Sequence, residues 1–325
     1  MTASGDQIKA LVRSHGQGDD ARFFSVAMQV AAQAARRGQH KLAQQLRELV
    51  DEAKQKGPQR PGAPVPVVRP KGELAGLLAA SYPQTKLTDM ALAEDVRHQL
   101  ERVLVEQRRR DSLRHRGFEP LRKLLFLGPP GTGKTMAASA LAGELHLPLF
   151  STRLDGLITK FMGETAAKLR LVFDAIAELR GVYFFDEVDA VAGARATGGD
   201  VGEIRRVLNS FLQFLEQDGS DSVILAATNH PQLLDPAIFR RFESVVRFAL
   251  PAPIEIRALV KNRLSGMKLR GIKWEVIERE AEGLSHADIV LACDKAAKDA
   301  ILRGTELVAA PDLLRALRSR KSESH

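Results

Sequence analysis

The sequence predicts an α/β fold: a parallel five-stranded sheet with helices on both faces, an all-α segment before it and a small helical domain after it. Three observations carry this. From Leu121 onward short apolar runs alternate with amphipathic helical stretches, the pattern of a mostly parallel sheet covered on both sides. Between Gly57 and Pro70 stand Pro58, Pro61, Pro64, Pro66 and Pro70, a density that excludes helix and central strand and marks a semi-rigid linker. After Pro251-Ala252-Pro253 the periodicity is helical to the end. The expected organisation is a helical N-terminal domain over 1–56, a linker over 57–83, an α/β domain over 84–250 and a helical lid over 251–325.

Each element has its own signal. Ile8, Leu11 and Val12 mark a short first helix. Asp19-Asp20 caps a longer one carrying Phe23, Val26, Ala27, Val30 and Ala34, and a third bears Leu42, Leu46, Leu49 and Val50. Such a hairpin does no chemistry by itself; it reads as an adaptor or as a packing appendage. Residues 71–83 read as loop with a short amphipathic turn. Helical period returns from Leu87 to Arg110, with Leu92, Val96, Leu100, Val103 and Leu104 inward, followed by the basic cluster Arg108-Arg109-Arg110 and Arg114-His115-Arg116. Strands are expected at Leu124–Leu127, Leu149–Thr152, Val182–Phe185, Val223–Ala227 and Ser244–Phe248. Between and after them helices are expected at Lys134–Leu145, Glu164–Arg180, Val201–Gln217, Pro236–Arg240, Ile254–Leu264, Trp274–Glu282, His286–Arg303 and Pro311–Arg318.

Composition sets outer bounds. At 325 residues and 44% hydrophobic the chain can fill two or three cores. It has no apolar run of about 18 residues and no basic-then-apolar leader pattern, so a soluble, cytoplasmic protein with no membrane contact is expected. The single cysteine, Cys293, excludes an internal disulfide framework and a cysteine-based metal site, and its helical setting beside Leu291 and Ala292 predicts a core thiol. The net charge of +8 suits a nucleic-acid or acidic partner, or simply a solvated surface, and 5% aromatics offers no base-stacking platform.

The chemistry concentrates at strand ends. Gly128-Pro129-Pro130-Gly131-Thr132-Gly133-Lys134-Thr135 follows the apolar run Leu124–Leu127 and fits the strand, glycine loop and helix order of a P-loop, G-x-x-x-x-G-K-[ST]. Its glycines let the backbone turn and bring N–H groups against phosphate oxygens, and the N-terminus of the following helix adds a positive dipole end. Lys134 is expected to reach the β- and γ-phosphates and the Thr135 hydroxyl to ligate Mg²⁺. A chance glycine turn does not account for all eight residues in that setting. About 50 residues later Val182-Tyr183-Phe184-Phe185 ends in Asp186-Glu187. A buried strand ending in acid places Asp186 beside the Mg²⁺ shell and lets Glu187 polarise an attacking water. Asp189 reads as a helix cap or a supporting acid. Asn229 ends the strand Leu225-Ala226-Ala227-Thr228 and is positioned to hydrogen-bond water or γ-phosphate. Arg240 and Arg241 read as a surface charge pair or as arginine fingers acting on a neighbouring subunit.

With these residues in place, the chain from about Leu87 to Arg303 resembles an AAA ATPase, of the classical branch of the AAA+ superfamily and the single-ring bacterial and archaeal type. Gly128–Thr135 matches its Walker A motif, Asp186 and Glu187 its Walker B motif, Asn229 its sensor 1, and Arg240-Arg241 its second region of homology. The resemblance implies ATP as the nucleotide, Mg²⁺, a ring (usually a hexamer) and sites at subunit boundaries. It further implies that Lys160, Phe161, Met162 and Gly163 form a pore loop gripping polypeptide, with Ala192–Gly202 as a second one. Three departures stand out. Ser244 occupies the place of a second arginine finger, which leaves Arg240 and Arg241 to carry that role, Arg241 first. His286 replaces glycine in the lid motif Leu284-Ser285-His286-Ala287-Asp288-Ile289, the segment that in such proteins touches ribose and adenine, so His286 and Ala287 are expected at the nucleotide. No second arginine sensor occurs in that motif, which agrees with the classical branch; residues 1–56 and the proline linker lie outside the resemblance.

The expected function is an ATP-driven motor that remodels or unfolds proteins, alone or with a separate peptidase or adaptor partner; no H-E-x-x-H or serine-protease signature occurs in the chain. The alternatives are a nucleic-acid loader, suggested by the +8 charge and the 108–116 cluster, and a nucleotide-gated assembly scaffold.

Overall fold

The computed structural model describes residues 26–28, 30–32, 34–35, 43–45, 70, 72–153, 164–189 and 201–323, with backbone alone at Arg153 and 201–206. The chain divides into two units, 1–67 and 68–325. In the first, the described residues are helical, and Ala27, Ala31 and Ala34 are buried at the spacing of one helical face. The remaining expectations for 1–67 lie outside the described residues.

The second unit is built on a six-stranded sheet. Its strands are β1 (Ala79–Ser81), β2 (Lys123–Leu127), β3 (Leu149–Arg153), β4 (Val182–Asp186), β5 (Val223–Thr228) and β6 (Ser244–Arg247), in the order β1-β3-β4-β5-β2-β6. Five run parallel, as the sequence predicts; β1 adds an antiparallel edge, with Ala80 opposite Phe150. Nothing in Ala-Ala-Ser carries strand propensity, so this sixth strand is made by the open edge of β3.

Alternate residues of each strand feed opposite cores, as the period of two requires. Leu125, Leu127, Tyr183, Phe185 and Ile224 pack on one face under helices α4 (Thr165–Glu178) and α5 (Val201–Gln217). Leu124, Phe126, Phe184 and Leu225 pack on the other under α1 (Glu94–Arg108) and α3 (Lys134–Leu145). The short α2 (Arg110–Arg114) follows α1. Burial on both faces explains why β2 and β5 read as unbroken apolar runs. Phe185 meets Phe211 of α5 edge-on with ring centroids 5.1 Å apart, and stacks on Phe173 of α4 at 5.8 Å. Helix α3 buries Ala137, Ala138, Ala140 and Ala142, small side chains that let it lie close over the sheet, together with Leu141.

The lid comprises α7 (Pro253–Arg263), α8 (Trp274–Ala281), α9 (His286–Leu302) and α10 (Ala310–Glu323) around its own core, after a four-residue α6 (Pro236–Phe239). The all-helical reading here needs one addition. Lys268–Arg270 (β7) and Leu307–Ala309 (β8) form a two-stranded parallel ladder, too short for a sequence signal. Cys293 sits wholly inside this core, and burial pushes its thiol pKa up to about 12, so it is an inert packing residue as expected.

Candidate functional site

The parallel register delivers the chemistry to one edge of the sheet. Leu127 of β2 lies opposite Thr228 of β5, and Phe185 of β4 opposite Ala226, so the residues that follow these strand ends emerge side by side. In an open parallel sheet the crevice beyond the carboxyl ends of the strands is where ligands bind.

The loop 128–133 is fixed by space as much as by conformation. Gly128 has φ +151°, and a Cβ there would run into the carbonyl of Phe248. Gly131 has φ +74°, and its Cβ would stand 2.5 Å from Ser285 Oγ of the lid. Gly133, at φ +99°, caps α3. The loop backbone therefore lies bare at a helix N-terminus, a geometry suited to polyphosphate. Pro129 and Pro130 are exposed, and Thr132 is buried with its hydroxyl donating to the Pro129 carbonyl at 2.8 Å.

Lys134 is buried. Its ammonium donates to the carbonyls of Gly128 at 2.7 Å and Pro129 at 2.8 Å, and to Asn229 Oδ1 at 2.8 Å. Burial lowers its pKa, and the carboxylates of Asp186 and Asp189 pull the other way. Asp186 is half-buried at the end of β4, and its Oδ1 accepts from the Glu187 N–H at 3.0 Å. Glu187 adopts φ +55°, a left-handed conformation costly for a residue with a side chain and a recurrent mark of functional sites. The next N–H, of Val188, returns to the Ala227 carbonyl on β5 at 3.0 Å and clamps this turn. Asp189 is buried, and its Oδ1 finds no hydrogen-bond partner among the described residues.

Lys134, Thr135, Asp186, Glu187 and Asn229 all line one cleft of about 750 Å³, within the range of small-molecule sites. Thr135 and Asp186 contribute a hydroxyl and a carboxylate, oxygen donors of the kind Mg²⁺ shares with phosphate. Among the described residues no group of three or more His, Cys, Asp and Glu forms a metal cage.

The lid closes the opposite wall. Ser285 caps α9 in a reciprocal box: its Oγ accepts from Asp288 N at 3.2 Å, and Asp288 Oδ2 accepts from Ser285 N at 3.3 Å. Two residues after Ser285, the Ala287 N–H donates to the Gly131 carbonyl at 3.0 Å. His286 lines the cleft beside Ala91; burial lowers its pKa and the nearby Ala91 carbonyl opposes that. Sequence reasoning missed Asp89, Met90 and Ala91, and the lid residues Leu259, Asn262 and Arg263, which line the same cleft. They belong to no compact motif, so chain folding alone reveals them.

Arg240 and Arg241 are not among the residues lining this cleft. Arg240 is exposed, whereas Arg241 is ion-paired with Glu216 of α5 at 2.7 Å. Lys160, Phe161, Met162 and Gly163, and most of Ala192–Gly202, lie outside the described residues. Part of the basic cluster is paired within the fold: Arg108 pairs with Glu144 at 2.8 Å and Arg114 with Asp221 at 2.6 Å, while Arg110 lies 3.6 Å from Asp221; Arg109 and Arg116 are exposed. Among the described residues no helix is long and apolar enough to cross a membrane.

Comparison with known proteins agrees with this geometry. A family model described as "ATPase family associated with various cellular activities (AAA)" matches residues 124–250. The chain is 34% identical over 317 residues to the uncharacterized AAA family ATPase y4kL of Sinorhizobium fredii, covering 97% of this chain and 94% of that protein. It is 38% identical over 211 residues to the proteasome-activating nucleotidase of Methanococcus vannielii, 62% of this chain and 51% of that one. It is 31% identical over 255 residues to the ATP-dependent zinc metalloprotease FtsH of a Sulfurovum species, 76% of this chain and 38% of that one. The chain thus spans nearly all of the first relative but about half or less of these other two. The crystal structure of the FIGL-1 AAA domain superposes with a TM-score of 0.62 at 26% identity, covering 76% of this chain and 86% of that domain. The P-loop cleft, the parallel sheet with its helical lid, and these likenesses agree: the chain belongs to the AAA ATPase family.

Proposed function

We propose that this ATPase is a ring-forming motor, a hexamer of this chain, that remodels or unfolds proteins by drawing them through a central pore. The observation that carries the reading is a division of parts. Lys134, Thr135, Asp186, Glu187 and Asn229 share one cleft, while Arg240 and Arg241 stand outside it. A cleft that holds every hydrolytic group except the arginine suits completion by a neighbouring subunit.

In this mechanism the loop amides and Lys134 hold the triphosphate of ATP. Thr135 and Asp186 hold Mg²⁺, which offsets charge on the phosphate oxygens when bound. Glu187 polarises the attacking water and Asn229 orients it against the γ-phosphate. Arg241, with Arg240 beside it, stabilises the charge that develops in the adjacent site. His286 and Ala287 let the lid sense the nucleotide. Phe161 and Met162, flanked by Lys160 and Gly163, grip the polypeptide, with Ala192–Gly202 as a second loop. Residues 1–56 form the adaptor domain, 57–83 the linker, 84–250 the nucleotide domain and 251–325 the lid, in a cytoplasmic protein.

The names of two relatives, a proteasome-activating nucleotidase and an ATP-dependent metalloprotease, favour a protein substrate and a separate peptidase or adaptor partner. The nucleic-acid loader is the weaker reading, because three of the arginines that suggested it, Arg108, Arg110 and Arg114, are paired with Glu144 or Asp221, although Arg109 and Arg116 are exposed. A nucleotide-gated scaffold would show slow turnover indifferent to any polymer.

The test is a Glu187→Gln trap loaded with ATP in its native cell extract, with Lys134→Ala as the empty-site control. A specific polypeptide held only by the trap supports the remodeller. Nucleic acid that survives washing at moderate salt contradicts it.

A further inference from the structure

The lid presents a basic face that the nucleotide cleft does not use. Between Ile256 and Lys273 the chain carries Arg257, Lys261, Arg263, Lys268, Arg270 and Lys273 and no Asp or Glu. Two of these are neutralised within the lid: Arg257 pairs with Glu278 at 2.7 Å, and Arg263 donates to Asp294 through Nη2–H at 2.7 Å. Lys261, Lys268, Arg270 and Lys273 are exposed, and none has an ion-pair partner among the described residues. None of the four lines the cleft.

The fold gathers these cations. Lys268 and Arg270 are exposed on one face of β7, with Leu269 between them turned the other way. Lys261 Nζ lies 5.2 Å from the ring centre of Trp274, and Lys273 precedes that tryptophan as the N-cap of α8. The positive end of the helix dipole disfavours a cation at that cap, so Lys273 does not serve the helix. Like charges gathered without partners repel one another, and an opposite charge from outside relieves them.

Two neighbours indicate the kind of anion. Trp274 is half-buried, and Arg257 and Lys261 lie over its ring at 5.5 and 5.2 Å, so the ring is engaged within the fold rather than held out for stacking on a base. Val276 is 41% exposed one turn after Lys273, whose carbonyl accepts its N–H at 3.1 Å. An apolar side chain beside cations suits a polypeptide that mixes acidic and apolar residues; a phosphate backbone offers it nothing.

We propose that this face of the lid, made by Lys261, Lys268, Arg270 and Lys273 with Val276, docks an acidic segment of a partner protein. Helix α7 carries Lys261 on this face and lines the cleft with Leu259 and Asn262, so a docked partner bears on the cleft wall. Docking needs no turnover. Measured without nucleotide, it stands or falls apart from the motor reading.

Trp274 is the only tryptophan of the chain, so its fluorescence reports on this face alone. The experiment titrates the full chain with a short peptide of Glu, Asp and Leu, with the same peptide carrying Lys for its acids, and with single-stranded DNA of equal charge. The acidic peptide should change the Trp274 emission saturably and lose affinity as salt rises, and the Lys peptide should do neither. Lys268→Glu with Arg270→Glu should weaken the acidic peptide about 10-fold. Arg109→Glu with Arg116→Glu, an equal change of charge on the exposed part of the other basic cluster, should leave it unchanged. Lys273→Asp places a favourable cap on α8, so it should raise the melting temperature while weakening the peptide, which separates docking from folding. No response to the acidic peptide, an equal loss in the Arg109 and Arg116 pair, or tighter binding of the DNA than of the peptide overturns the proposal.

Discussion

The backbone N–H of Ala287 donates to the carbonyl of Gly131 across 3.0 Å, so the first turn of the lid helix is bonded directly to the P-loop. Ser285, two residues earlier at the helix N-cap, fills the space that a side chain on Gly131 would need. The lid and the phosphate loop are thus one mechanical unit, and change at either should be felt at the other.

Gly131→Ala tests that coupling. The methyl would demand a left-handed φ, costing about 1–2 kcal/mol, and would collide with Ser285 Oγ. We expect a lower melting temperature and at least 10-fold weaker ATP binding, with Ser285→Gly recovering part of both. Calorimetry and thermal unfolding report the two effects. Wild-type behaviour of Gly131→Ala would show that the lid does not press on the loop.

Glu187 separates stability from activity. Its φ of +55° is strained for a carboxylate-bearing residue, and glycine would release about 1 kcal/mol or more. Glu187→Gly should therefore melt higher than wild type. Glu187→Gln should bind ATP normally and hydrolyse it 10²–10⁴-fold more slowly, the usual worth of general-base assistance. Normal turnover in Glu187→Gln would refute its assignment as the base.

Arg241 must exchange partners to act in trans, because Glu216 holds it at 2.7 Å. Glu216→Gln should leave turnover intact or raise it, while Arg241→Ala should lower it about 10³-fold. Mixing Arg241→Ala with Glu187→Gln subunits should restore activity at interfaces that combine both intact groups. Full turnover in Arg241→Ala, with loss confined to Arg240→Ala, would transfer the role to the exposed neighbour.

His286 gives the lid contact a pH limit. Burial depresses its pKa below the ordinary 6.5, so the folded protein favours the neutral ring. The stability tied to that neutral ring is complete above 6.5 and declines as pH falls from 6.5 toward the depressed value. Compared with His286→Gly, the wild type should lose more melting temperature between pH 7.5 and 5.5. Parallel curves for the two proteins would remove His286 from the lid contact.

Much of this arrangement was legible in the sequence because each part has a local cause. The P-loop glycines answer to backbone geometry at single positions. The five parallel strands show as apolar runs because both their faces are covered, as at Leu124–Leu127. What escaped has a tertiary cause. Ala79–Ser81 becomes a strand only because β3 offers an edge. The Arg241–Glu216 and Arg108–Glu144 pairs join residues far apart in the chain, so neither partner could be read from the charge pattern. Arg263 reaches the cleft only through the packing of α7 beside α9, where Asp294 receives it.

The measurement that tests the account most directly is steady-state ATP hydrolysis by the full chain, alone and with an unfolded polypeptide or duplex DNA, for wild type and Phe161→Ala. The account predicts that unfolded polypeptide stimulates wild-type turnover, that DNA does not, and that Phe161→Ala keeps the basal rate but loses the stimulation. Stimulation by DNA with none by polypeptide would contradict it.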